Sequence, residues 1–251
     1  MSILSGLKNS VAFLTIFPVG MDDDGIVQAA SYMPLFPVIG AVIGFVVGVV
    51  LWLLQLFLPQ LATAAIGLGL LLLINGAQHF DGLLDFGDGI MFHGSRAGKL
   101  RVMRDPATGA GGFALGAIIL LVAFSSIAST PSTFIALALM IAEASAMFGM
   151  VLATALGKSA HKGMNTIFFE AMGRRRAFRV AIACVIVLML SYLVLRASGL
   201  VLVAGAALST LLMVVIANRH FGGLTGDVLG ATHEIVRSIT LLLVLGVLKW
   251  A

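Results

Sequence analysis

His79-Phe80-Asp81-Gly82-Leu83-Leu84-Asp85-Phe86-Gly87-Asp88-Gly89 is the stretch from which the fold is read. It lies between long runs of Leu, Ile, Val, Ala and Gly, and it holds three of the chain's eleven acidic residues. Asp81, Asp85 and Asp88 follow i, i+4, i+7 spacing. At about 100° per residue, the second and third fall within roughly 40° of the first. A helix here puts all three carboxylates on one face. Like charges that close repel unless something positive sits among them. Carboxylate oxygens suit Mg²⁺, Mn²⁺ or Ca²⁺, and Mg²⁺ commonly completes its shell with water and substrate phosphates. The spacing therefore predicts a divalent-metal site. The competing reading, an acidic loop solvated at a membrane surface, gives no reason for the spacing.

Working outward, the flanks fix the class. The chain is 60% hydrophobic and 10% charged, with mean hydropathy +1.12, whereas soluble domains carry about 25% charged residues. Runs approaching the roughly 20 residues that cross a bilayer recur along it. The expectation is an all-α, polytopic transmembrane bundle forming one integral membrane domain over 1–251. Residues 1–33 are read as an interfacial N-terminal segment and 34–251 as the bundle. About seven spans are expected, at 34–58, 61–79, 111–130, 132–156, 177–196, 199–218 and 235–250. Gly40, Gly44 and Gly48 make a small-residue stripe suited to close helix packing. The single Cys184 excludes an internal disulfide. The net charge of +4 is no argument for nucleic acid, and none is expected as a partner. The sequence is compatible with a homo-oligomer.

Charge asymmetry sets the orientation. With Met1 cytoplasmic, thirteen Lys and Arg residues, Arg237 among them, fall on the cytoplasmic side and only Arg196 and Lys249 on the other. That is a strong positive-inside bias. The chain is expected in the cell membrane, with the polar connections 80–110, 157–176 and 219–234 facing the cytoplasm, where they can build one site.

Each connection offers chemistry. In Arg96–Asp105, basic residues alternate with apolar ones, either as an interfacial helix against anionic lipid or as a phosphate grip through Arg101 and Arg104. Asp105 is a further ligand candidate or a partner of Arg104. The Gly109–Gly112 turn opens a span whose free N–H groups suit an anion. In the third connection, Gly226 precedes Asp227, and Asp227 and Glu234 are seven apart. Acidic residues entering a span usually face a polar interior. The middle connection brings Lys158 and Asn165 as candidate substrate contacts. Glu143, inside the fourth span, is either a buried structural acceptor or part of the same cavity. The five histidines show no paired zinc spacing. His79, two before Asp81, is the best placed for proton transfer.

These residues resemble a known family. The pattern His79-x-Asp81-Gly82-x-x-Asp85-x-x-Asp88-Gly89, then Arg104-Asp105-x-x-x-Gly109, then Gly222-Gly223-x-Thr225-Gly226-Asp227-x-x-Gly230-Ala231-x-x-Glu234 is similar to the cobalamin 5′-phosphate synthase family, the adenosylcobinamide-GDP ribazoletransferases. Phe13–Val19, Phe36–Gly40 and Gly163–Asn165 echo it more weakly. The resemblance implies two substrates, adenosylcobinamide-GDP as donor and α-ribazole or its 5′-phosphate as acceptor. A ribose hydroxyl attacks the phosphorus on the corrinoid's aminopropanol arm, GMP leaves, and adenosylcobalamin or its 5′-phosphate results.

The residues suit that chemistry. Asp81, Asp85, Asp88 and Asp227 are expected to hold Mg²⁺ across the diphosphate, and Arg101 and Arg104 to neutralise the leaving GMP. Asp88, or else His79, is expected to orient or deprotonate the attacking hydroxyl. Three alternatives compete. A CDP-alcohol phosphotransferase needs an Ala-Arg pair that is absent after Leu84. A prenyltransferase fits the Asp81/Asp85 spacing. A transporter would need carboxylates at mid-membrane in several helices, and only Glu143 lies there.

Overall fold

The computed structural model describes residues 2–250, and its architecture is helical throughout apart from one isolated β-bridge. Twelve α-helices follow in chain order. They are α1 (Ile3–Leu14), α2 (Gly25–Ser31), α3 (Phe36–Leu54), α4 (Gln60–Ile74), α5 (Gln78–Met91) and α6 (Arg96–Val102). Then come α7 (Ala110–Ser129), α8 (Ile135–Leu156), α9 (Met164–Met172), α10 (Arg176–Leu195), α11 (Gly199–His220) and α12 (Gly226–Trp250).

Five helical runs are long and apolar enough to cross a membrane: Met33–Leu54, Ala110–Ser129, Ser132–Leu156, Met164–His220 and Gly226–Lys249. The pair α4 and α5 makes a sixth when taken together. The chain is thus a multi-pass membrane protein. The run Met164–His220 contains two long apolar helices, α10 and α11, joined by a turn at Arg196, whose φ is +52°.

Helix α8 is the centre, with α3, α10, α11 and α12 packed around it. The glycine stripe on α3 meets α8 as expected. A Cβ at Gly40 would stand 2.6 Å from the Glu143 carbonyl oxygen, and Gly44 and Gly48 face Leu139 and Ala136. Such contact lets two backbones approach where lipid supplies no hydrophobic drive.

The structure corrects two expected spans. The stretch 61–79 is not one straight helix. α4 ends at Ile74, and α5 leaves at 92° to it. The stop is a Schellman turn: the Ala77 N–H donates to the Leu72 carbonyl (2.8 Å) and the Gly76 N–H to the Leu73 carbonyl (2.9 Å). Gly76 and Ala77 both hold positive φ, +60° and +55°, which glycine adopts freely and alanine only at a cost. The last helix, expected from 235, begins at Gly226. His233, Glu234 and Arg237 interrupt its hydropathy, but all three are buried inside the bundle. Arg237 was assigned to the cytoplasmic cations; it is instead 0% exposed and paired with Glu143 and Glu234.

The N-terminal segment docks through polar contacts. Asn9 and Ser5 on α1 hydrogen-bond Asp22 and Gln28, and Lys8 reaches Asp22 at 2.7 Å. The 12-residue α1 is too short to cross a bilayer.

Candidate active site

The acidic face of α5 is built from both ends of the helix. At its start, the turn after α4 aims His79 and Asp81 toward α12. Leu83 and Phe86 are buried on the opposite side and hold the helix to the bundle. At its end, the Lys99 ammonium of α6 donates to the Gly89, Ile90 and Phe92 carbonyls at 3.1, 3.1 and 2.6 Å. A cation at a helix C-terminus satisfies otherwise orphaned acceptors.

Two glycines bring α5 against the start of α12. A Cβ at Gly82 would stand 2.8 Å from the Asp227 Cα, and one at Gly230 would stand 3.0 Å from the His79 Cα. Only a residue without a side chain permits that approach. Thr225 caps α12: its hydroxyl accepts from the Val228 N–H (3.2 Å) and donates to the Asp227 carboxylate (3.2 Å). Asp81, Asp88 and Asp227 all act through space on Asp85. Carboxylates far apart in sequence therefore lie along one acidic face, although no three of the four bring their oxygens within 4.8 Å of one another. Among the described residues, none of the four has a Lys, Arg or His nitrogen within 4.0 Å.

Asp88 has a second engagement. Its two carboxylate oxygens accept from the N–H groups of Gly109 (2.7 Å) and Gly112 (2.8 Å) at the start of α7. The helix N-terminus that the sequence offered to a substrate phosphate, Gly109 included, is thus occupied by the chain's own carboxylate. Asp105 makes a local turn, its carboxylate accepting from the Ala107 N–H at 3.0 Å.

The three polar connections meet. The bridge pairs Ser159 with Leu224 in parallel: the Ala160 N–H donates to the Leu224 carbonyl (2.9 Å), and the Leu224 N–H to the Lys158 carbonyl (2.8 Å). The Asn165 amide donates to the Ser159 hydroxyl (3.0 Å) and the Leu224 carbonyl (3.1 Å). Arg96 Nε donates to the Arg219 carbonyl at 3.3 Å, joining the first connection to the third.

Between them lies a cavity of about 420 Å³. One wall is polar and carries His79, Asp81, Arg104, Thr225, Gly226 and Asp227; Asn165 also lines it. Another is apolar, with Phe13, Met33, Phe36, Met150, Phe168 and Leu229. Several candidate residues fall outside its lining. Asp85 and Asp88 continue the acidic face along α5. Arg101 is exposed on α6. The Lys158 side chain borders a separate cleft with Arg96, Asn218 and Gly222. Glu234 is 1% exposed and ion-paired with Arg237.

That pairing belongs to a cluster which sequence reasoning missed. His233 presents Nδ1 to Glu234 and Nε2 to Glu143, each at 3.4 Å, and Arg237 pairs with both glutamates. Only an imidazolium carries a proton on each nitrogen for two carboxylate acceptors. A protonated His233 would set two cations against two anions, so that the cluster buries no net charge. Its outer member is His79, whose ring lies 4.1 Å from that of His233 at 31°. His79, His233 and Glu234 present potential ligand atoms within 4.8 Å of one another, but Arg237 already holds the glutamate. The sequence signal was an acid in one span and bases in another, which a bilayer interior tolerates only as partners.

Comparison with known proteins covers the same ground. Residues 6–245 match the family described as cobalamin-5-phosphate synthase. A Methanocella arvoryzae protein named adenosylcobinamide-GDP ribazoletransferase is 34% identical, over 99% of this chain and 98% of its own length. Proteins of the same name from Methanosarcina mazei (33% identical, over 98% of this chain and 93% of that protein) and Pyrococcus furiosus (32% identical, over 98% and 100%) also align. No solved structure matches.

Proposed function

The chain belongs to the cobalamin-5-phosphate synthase family and is a transferase of the ribazoletransferase step in cobalamin nucleotide-loop assembly, and we propose that it performs this step at the cavity between α5 and α12, on the cytoplasmic face. The observation that carries the proposal is the contact of Gly82 with Asp227. It gathers unpaired carboxylates at the polar wall of a cavity large enough for a nucleoside.

The donor set suits a hard divalent cation such as Mg²⁺. All candidate ligands are carboxylate oxygens, and among the described residues none has a Lys, Arg or His nitrogen within 4.0 Å. Asp81, Asp85 and Asp227 would hold it, and Asp88 would join through the lone pairs that Gly109 and Gly112 leave free. When bound, the ion supplies charge neutralisation on the diphosphate.

The chain's own residues supply the rest. Arg104, on the cavity wall, would face the diphosphate, and Arg101, exposed on α6 outside the lining, would reach the departing phosphate. Arg forks match phosphate oxygens, and positioning with electrostatics carries most of phosphoryl transfer. The acceptor's ribose hydroxyl forms a P–O bond to the phosphorus bearing the aminopropanol arm. The P–O bond to GMP breaks, and GMP leaves with that electron pair. The hydroxyl proton goes to the Asp81 carboxylate on the cavity lining in this reading, and His79 orients the hydroxyl. Asp88 is less suited as base, because both its oxygens already accept backbone N–H groups. His79 lines the cavity, and its buried Nδ1 has no partner within the protein.

The test is GMP release by purified protein supplied with adenosylcobinamide-GDP and α-ribazole or its phosphate, with and without EDTA. Turnover that needs both substrates and stops with EDTA supports the proposal. Turnover with CDP-alcohol or prenyl diphosphate donors instead would reject it.

A further inference from the structure

The apolar wall of the cavity carries an inference about which substrate enters it, and it rests on the reaction proposed above. Phe13 of α1, Phe36 of α3 and Phe168 of α9 come together there. Phe13 and Phe168 have ring centroids 4.9 Å apart, and Phe36 lies 6.4 Å from Phe168 and 6.5 Å from Phe13. Met33, Met150 and Leu229 complete that wall. Asp81, Arg104 and Asp227 also line the cavity. We infer that this cavity is the acceptor subsite, with the fused-ring base of α-ribazole against Phe13 and Phe168, which the fully buried Phe36 backs, and its ribose toward Asp81 and Asp227.

Size gives the first argument. About 420 Å³ lies at the small end of the roughly 300–1,000 Å³ range of small-molecule sites. A nucleoside fits; a corrinoid macrocycle does not, so the donor reaches the polar wall from the mouth with its diphosphate first.

Polarity gives the second. Both substrates bring a planar bicyclic base, guanine on the donor and dimethylbenzimidazole on the acceptor. Guanine carries an amide N–H, an amino group and a carbonyl, and burying them without partners is costly. The apolar wall offers thioether, aliphatic and phenyl groups. The NH₂ groups of two side chains that border the cavity are already engaged: that of Gln78 donates to the Phe13 carbonyl at 3.1 Å, and that of Asn165 to Ser159 and Leu224. Dimethylbenzimidazole on its ribose has no N–H, one acceptor nitrogen and two methyl groups. It gains aromatic contact and apolar burial there and leaves almost nothing unpaired.

Phe13 and Phe168 are thus specificity-determining residues. Phe13 stands on the N-terminal helix and Phe168 on the short α9, so two elements outside the long helices close the subsite.

The experiment uses the full chain in lipid nanodiscs. Equilibrium binding of α-ribazole is followed by its benzimidazole fluorescence, in EDTA, with and without adenosylcobinamide-GDP. Separately, GMP release is measured with each substrate varied. Wild type should bind α-ribazole. Phe168→Ala and Phe13→Ala should each weaken binding and raise the α-ribazole KM at least tenfold, leaving the KM for adenosylcobinamide-GDP within twofold. A wild-type series of ribosides needs no variant: replacing benzimidazole by imidazole should weaken binding at least tenfold, and GMP should compete with the donor alone. Unchanged α-ribazole binding in both variants, no preference for the larger base, or no binding in either condition would overturn the assignment. Binding that follows this pattern without GMP release would sink the reaction and leave the subsite standing.

Discussion

Gly82 of α5 lies flat against the backbone of Asp227 at the start of α12, where an added Cβ would stand 2.8 Å from the Asp227 Cα and 2.8 Å from its carbonyl oxygen. The carboxylates on either side of that contact, Asp81 and Asp227, share a cavity wall because nothing thicker than a glycine separates their helices. Gly82→Ala must push α5 and α12 apart. The expected result is at least a tenfold loss of GMP release, with the protein still monodisperse in detergent. Gly246→Ala on the same α12, where a Cβ meets nothing within 4 Å, should leave activity unchanged. Alanine there is about 0.5–1 kcal/mol more favourable than glycine in a helix.

Asp88 binds α7 rather than standing free. Asp88→Ala removes acceptors from Gly109 and Gly112, a loss comparable to deleting an N-cap, about 0.5–2 kcal/mol. A lower Tm with reduced turnover is expected. Asp88→Asn keeps one carbonyl acceptor and should recover part of the Tm. Equal Tm values for wild type and Asp88→Ala would contradict the capping role.

The Glu143–His233–Glu234–Arg237 cluster ties α8 to α12, and all four side chains are buried. Removing one member leaves an uncompensated charge, which costs about 3–5 kcal/mol for a buried pair. Arg237→Met and Glu143→Leu should each lower the Tm sharply. The double change restores charge balance and should be milder than the two single losses added together. A strictly additive double variant would show that the cluster is not one unit.

Asp22 gives the docking of α1 a pH limit. Hydrogen bonds from Lys8, then Asn9 and Ser5, hold its carboxyl below the usual 3.8, at about 2. A pKa lowered by folding stabilises the folded form above the ordinary value and loses that contribution as pH falls through the lowered one. Protease protection of residues 3–31 should therefore hold down to about pH 4 and fade between there and about pH 2. Asp22→Asn should weaken protection already at pH 7.

The helical class and the acidic face of α5 were legible because hydropathy and i, i+4, i+7 spacing are local signals. So was the α3 stripe, whose glycines meet α8 where small residues were expected to permit close packing. The bend after Ile74 was not legible. Gly76 and Ala77 look like helix interior until their positive φ is known, so the apolar run was extended to 79. Nor was the early start of α12. His233 and Glu234 read as loop charges and Arg237 as a cytoplasmic cation, and only their partners across the bundle, Glu143 above all, make them affordable inside it. The sequence also assigned the Gly109–Gly112 turn to a substrate anion, since spacing cannot reveal that Asp88 reaches it first.

The central claim is that Asp81, Asp85 and Asp227 together hold a divalent ion at the transferring diphosphate. Its most direct test is the rate of GMP release against Mg²⁺ concentration for wild type, Asp81→Asn and Asp227→Asn. The account predicts wild-type activity that vanishes in EDTA and returns with Mg²⁺. Both variants should need far more Mg²⁺ or stay at least a hundredfold slower at saturation. Wild-type turnover that survives EDTA, or both variants running within twofold of wild type on the same Mg²⁺ curve, would contradict it.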